Sequence, residues 1–139
     1  MKKLLLLLVT FAAVGSMFAQ DCMYPFISEY VEGTANSKAV EIYNPTDQPL
    51  DLDPYIIVRY SNGGTSPSSG YKTDLTGIIP PYGTFVLVNG QITSSETSPA
   101  CDPDLQLLAD QLDGDYPAPM YMNGNDAITL ETEDGIIWD

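Results

Sequence analysis

After residue 25 the β-type runs are short, and each ends at a residue that breaks extended structure. FISEYVEG (26–33) and KAVEIYNP (38–45) read as two strands joined by a polar turn, with Pro45 closing the second. Residues 55–60 are β-branched and aromatic and stop at Asn62-Gly63-Gly64; residues 73–79 run into Pro80-Pro81. Residues 84–88 end at Asn89-Gly90, and residues 127–131 and 136–138 flank the turn Asp134-Gly135. Short strands set apart by Gly, Pro, Asn and Asp predict an all-β sandwich or barrel. Residues 104–112 are the exception. Leu105, Leu108 and Leu112 stand at helical spacing with Asp102 or Asp104 as cap, which predicts one or two helical turns on a long crossover over 89–119. Residues 61–70 form a polar loop, and there is no internal repeat.

The first 19 residues read as an address. Lys2 and Lys3 make a positive start, residues 4–14 are apolar, and the small residue Ala19 precedes Gln20. That is the pattern of a cleaved export signal. The apolar stretch is too short to cross about 30 Å of hydrocarbon comfortably. Cys22 follows Asp21 and not a small residue, so the pattern for lipid attachment is missing. Cleavage after Ala19 leaves residues 20–139, enough for one domain with its own core. The expected location is secreted, periplasmic or at the cell surface, with no membrane association once the signal is removed.

Removal of Lys2 and Lys3 from the five basic residues leaves Lys38, Arg59 and Lys72 against 19 acidic ones, a net charge of −16. Binding to nucleic acid relies on Lys and Arg to release counterions, so direct nucleic-acid binding is disfavoured. Cations, basic proteins and neutral sugars remain as partners, although solubility alone accounts for much of such a charge.

The chain has no His, which removes Ser-His-Asp and Cys-His catalysis and ordinary catalytic zinc. No glycine-rich phosphate loop precedes a lysine. Among 19 acids some pair always falls close, so a carboxylate pair alone is no glycosidase signature. Calcium is the sharper alternative: Asp102, Asp104, Asp110, Asp113 and Asp115 lie in one loop-rich region. Their spacing fails the helix–loop–helix calcium pattern, since Leu107 stands where Gly is needed and Asp113 where a bidentate Glu is needed. The other reading is a solvated acidic loop. Asn123-Gly124-Asn125-Asp126 could present oxygens to a ligand, but Asn-Gly favours a tight turn into the following strand. Tyr71, Tyr82, Tyr116 and Tyr121 lie near loops, where stacking on a sugar competes with capping of sandwich edges. Trp138, the one tryptophan, is expected in the core.

Taken in order, several motifs resemble those of lamin tail domains. They are ISEY (27–30), KAVEIYNPT (38–46), Asp51-Leu52 with Tyr55, YSNG (60–63), LTGIIP (75–80), GTFV (83–86), ADQ (109–111) and NGNDAITL (123–130). The resemblance spans residues 26–139 and implies an immunoglobulin-like β-sandwich of the kind found on exported bacterial proteins, beside nucleases, phosphatases or sorting modules. It supplies no catalytic motif. It also implies a further stretch after Ile136-Ile137-Trp138, where this sequence stops at Asp139. Two readings follow: a fragment of a longer protein, or a domain without its closing strand. In the second, residues 136–138 pair back on 127–130 and leave an unguarded edge through which the chain would self-associate.

The function these readings favour is an exported, non-catalytic binding, adhesion or substrate-targeting module for a protein or a carbohydrate. The alternatives are the N-terminal fragment of a secreted hydrolase and a calcium-dependent adhesion module. Cys22 and Cys101 both survive signal cleavage, and an even count in an exported chain points to one disulfide. By chain entropy it would contribute on the order of 4 kcal/mol. Intact mass after alkylation without reductant is expected to show no added groups; uptake of two would refute the bond.

Overall fold

The computed structural model describes residues 23–67 and 70–139. The expected signal peptide over 1–19, and Cys22, lie outside those residues. The strands are β1 (Phe26–Glu32), β2 (Lys38–Tyr43), β3 (Leu50–Asp51), β4 (Tyr55–Tyr60), β5 (Lys72–Asp74), β6 (Ile78–Ile79), β7 (Thr84–Val88), β8 (Gln111–Leu112) and β9 (Ala127–Thr132). A four-residue helix, α1 (Pro103–Gln106), and 3-10 turns at Ser61–Gly63 and Pro119–Tyr121 complete the set. One sheet has the order β1-β2-β7-β8, another β5-β4-β9, and β3 and β6 form a two-stranded ribbon. The fold is all-β and immunoglobulin-like.

Alternation along the strands builds the core. Val40 and Ile42 of β2 stand opposite Leu87 and Phe85 of β7. All four are buried in one cluster with Ile57 of β4, Leu130 of β9, and Leu52, Leu75, Ile79, Met120 and Met122. The two sheets therefore face each other across a shared apolar layer. Each fully buried Leu or Ile contributes roughly 1.5–3 kcal/mol. The outward residues Ala39 and Val88, also opposite each other, pack with Cys101 in a second cluster bordered by Val86, Leu105 and Ala109. The α1 segment thus covers part of the outer face of the four-stranded sheet. Burial on both faces explains why β7 reads as an unbroken apolar run.

Three expectations are corrected. The single strand over 73–79 is two, because Gly77 (φ 112°) breaks it between β5, which pairs with β4, and β6, which pairs with β3. The helix over 104–112 ends at Gln106, capped by Asp102 with Pro103 in its first turn. Beyond it β7 captures the backbone: Asp110 N–H donates to Val86 O at 2.9 Å, Asp113 N–H donates to Val88 O at 2.7 Å, and Gln111–Leu112 join the sheet in parallel. Residues 136–138 make one bridge, Glu131 with Ile137, and no strand. They do fold back on β9, as Trp138 N–H donates to Leu130 O at 2.8 Å and Leu130 N–H to Asp139 O at 2.9 Å. On the far side the Asp139 carboxylate accepts Ile27 N–H at 2.7 Å, which joins this segment to β1. Trp138 is half-buried against the core, its ring 4.5 Å from that of Tyr24 and 6.5 Å from that of Tyr55.

Ile57 is the centre of this arrangement, on the middle strand of its sheet and fully buried. Ile57→Ala is expected to lower unfolding free energy by about 2–5 kcal/mol in urea titration. Lys72→Ala, at an exposed position, should stay within about 0.5 kcal/mol of the parent. Equal effects would show that the apolar layer is not the source of stability.

Candidate functional site

Three of the four singled-out tyrosines gather at one end of the sandwich, around a buried cation. The Arg59 guanidinium lies 4.1 Å from the centre of the Tyr71 ring and 3.7 Å from Asp126 Oδ2. The charged side chains of this ion pair are 3% and 2% exposed. A cation removed from water this fully needs such company, and Arg59 Nε has no hydrogen-bond partner among the described residues. Tyr116 and Tyr121 meet edge-to-face at 5.5 Å. A hydroxyl contact with Tyr116 holds the Tyr71 phenol below its ordinary pKa and raises that of Tyr116. Tyr121 is buried, one face of Tyr71 is covered by Arg59, and Tyr116 is exposed. Tyr82 stands apart, in the turn before β7.

The segment Asn123–Asp126 is a turn. Gly124 has φ 56°, and the Asp126 carboxylate accepts Asn62 N–H at 2.8 Å and Asn123 N–H at 3.1 Å. Gly63 N–H donates to Asn125 O at 3.2 Å, so this turn and the one after β4 hold each other.

The five aspartates do not converge. Asp102 caps α1, accepting Asp104 N–H at 2.9 Å, and Asp110 accepts Val86 N–H at 2.8 Å. Asp113 is buried and accepts the Thr73 hydroxyl, Met120 N–H at 2.7 Å and Gly114 N–H at 2.9 Å. Asp104 and Asp115 are exposed. Among the described residues no three His, Cys, Asp or Glu side chains form a group able to hold a metal ion. Cys101 is buried beside Ala39 and Val88, and burial raises its thiol pKa; its expected disulfide partner is outside the described residues.

A pocket of about 260 Å³ opens on the outer face of the four-stranded sheet, between β1, β2, β7 and the α1 segment. Val31, Ala39, Val86, Leu105 and Leu108 give it apolar walls, and Glu29 and Glu41 also line it. A β-bulge at Ser28 creates this lining. Ile27 stands opposite the core residue Ile42, yet Glu29 stands opposite Glu41. The extra residue turns Glu29 and Val31 outward; without it Glu29 would face the core. The Ser28 hydroxyl donates to Glu41 Oε1 at 2.7 Å and so fixes one carboxylate.

The profile of the Lamin Tail Domain family matches residues 23–139. The chain belongs to the lamin tail domain family. Such domains are immunoglobulin-like and non-catalytic, which is consistent with a binding module. No curated protein matches the chain.

Two asparagines that follow strands have a physical role that turn chemistry does not announce. Asn44 of the KAVEIYNPT run is fully buried; its amide donates to Gln48 O at 2.8 Å, Pro80 O at 3.1 Å and Ile79 O at 3.3 Å. Its oxygen accepts Thr46 N–H at 3.1 Å. Asn89, after β7, is also fully buried, donates to Met120 O at 2.7 Å and accepts Gln91 N–H at 2.9 Å. A side chain at Gly90 would place its Cβ 2.2 Å from Asp113 O, so that position admits no larger residue. The Glu29–Glu41 pocket was missed from sequence. Its one signal is the break in alternation at Ser28, which is visible only when the partner strand is known.

Burial is the main influence on Asp113 and raises its pKa, against the lowering effects of Thr73, Met120, Gly114 and Arg59. A raised native pKa means that the folded state holds the proton better than the unfolded state. This contribution is full below the ordinary aspartate pKa and is lost as pH rises through the raised native value. Asp113→Ala strands the buried Met120 N–H and is expected to cost about 1–3 kcal/mol. The parent's advantage over the variant should shrink across that pH window in urea titrations; an advantage that grows with pH would contradict the assignment.

Proposed function

We propose that the chain is an exported, non-catalytic module that holds a protein partner against the outer face of its four-stranded sheet. The observation that carries this reading is the pocket beside α1, with apolar walls and two glutamates in its lining. Two of those wall residues are open to solvent: Leu108 is 68% exposed and Val31 37%. Neighbouring Leu107 is 83% exposed, and single isolated apolar residues are ordinary where a group around a concavity is not.

Charge supports a protein over a nucleic acid. Lys38 is buried and 3.6 Å from Glu32, Arg59 is buried against Asp126, and Lys72 is the exposed basic residue among those described. A surface of this kind offers almost nothing to phosphate. A protein is also favoured over a sugar, because the tyrosines that could stack on a ring are largely occupied with Arg59 and with each other. No helix among the described residues is long and apolar enough to cross a membrane.

A photo-crosslinking residue placed at Leu108, and separately at Lys72 on the other sheet, tests the face in cells that export the protein. A discrete protein adduct is expected from position 108 and none from position 72. Adducts of equal yield from both, or glycan adducts in place of protein, would remove this reading.

A further inference from the structure

We infer that the pocket receives the side chain of a lysine carried by the partner, with the aliphatic stem between Val31, Val86 and Leu105 and the ammonium between Glu29 and Glu41. The inference rests on the reading of this face as the contact surface and names what enters it.

Three observations lead there. First, Glu29 and Glu41 are direct cross-strand partners on one face. Side chains so placed have Cβ atoms about 4.5–5.5 Å apart, and like charges in that relation destabilise a sheet. Among the described residues the two ion pairs are Lys38–Glu32 and Arg59–Asp126, so neither carboxylate has a cation of its own. The pair is therefore an unneutralised double negative charge, partly fixed in place by Ser28.

Second, the volume of about 260 Å³ lies just below the roughly 300–1,000 Å³ typical of small-molecule sites. It suits one side chain better than a whole ligand. Third, the walls are aliphatic and Glu29 and Glu41 share the lining, which fits a long apolar stem with a charged tip. Lysine suits this better than arginine. Its ammonium is compact and directs three donors that two separate carboxylates can share, whereas a planar guanidinium is matched to one carboxylate in bidentate fashion. Access is open as well: β1 is an edge strand of its sheet and pairs with β2 alone among the described strands.

The test is an amide-resolved NMR titration of the mature chain with Nα-acetyl-lysine methylamide. The norleucine, Nε-acetyl-lysine and arginine analogues serve as controls. The lysine probe is expected to shift Glu29, Val31, Ala39, Glu41 and Val86, and to bind about tenfold tighter than norleucine, a difference of about 1.4 kcal/mol. E29Q and E41Q should each weaken it several-fold, and the double variant should bring it to the norleucine level. E29Q leaves the Ser28–Glu41 contact in place, so it reads the charge even where E41Q disturbs the bulge.

Equal shifts from norleucine would reduce the site to a plain apolar pocket, and tighter binding of arginine would assign it to another cation. Shifts spread over Asp47, Asp51 and Glu133 with no focus at the pocket would mean general attraction to an acidic surface. Each of these overturns the lysine assignment. None of them affects a protein adduct formed from position 108, so failure of the ligand and failure of the face are separable.

Discussion

The antiparallel contact of β2 with β7 is the constraint on which the other parts depend. Its register, Val40 opposite Leu87 and Ile42 opposite Phe85, sets which residues face the opposing sheet. The same register puts Ala39 and Val88 on the outside, where the α1 segment covers them. A slip of one residue would exchange the two faces, which apolar burial forbids. Both strands end in a fully buried asparagine, Asn44 and Asn89, and the strands run in opposite directions. Each end of the sandwich is thus closed around one amide that satisfies backbone groups no strand can reach.

The treatment of charge follows from this frame. Lys38 and Arg59 are both taken inside, each with one carboxylate close by. Breaking a buried pair leaves an uncompensated charge, so such a pair specifies an arrangement more than it adds stability. Arg59 draws Tyr71 and the turn bearing Asp126 around itself and plugs one end. The surface is left strongly acidic, and Lys72 is the exposed basic residue among those described. Tyr71 covers the cation at that end, and a concavity lies on the outer face of the other sheet.

That face joins two features of separate origin. The α1 segment packs against β2 and β7 to close a second small core, and Leu105 and Leu108 reach the pocket from it. The bulge at Ser28 keeps Glu29 out of the main core and places it across from Glu41. Apolar walls and uncompensated carboxylates meet because two unrelated packing problems are solved side by side. The binding proposed for this face requires no catalytic group.

Strand positions were legible locally. Residues 38–43, 55–60 and 84–88 end where Pro, Gly and Asn end them, and these residues act through their own φ, ψ and hydrogen bonds. The turn over 123–126 and the Asp102 cap follow from the same short-range chemistry. Tertiary structure decided the rest. The strand over 73–79 is divided because its halves find partners in different sheets, and residues 111–112 leave a helical pattern because β7 offers a free edge. Asn89 reads as a breaker and Asn44 as part of a strand end closed by Pro45, yet both are buried hubs, and Asp113 reads as a surface acid but accepts three buried or partly buried donors. The pairing of Glu29 with Glu41 depends on where Ser28 bulges against a strand a dozen residues away. Sequence determined these outcomes wherever the forces act within a few residues. Structure determined them wherever burial, register or an ion pair joins distant segments, because the gain appears only when both partners are in place.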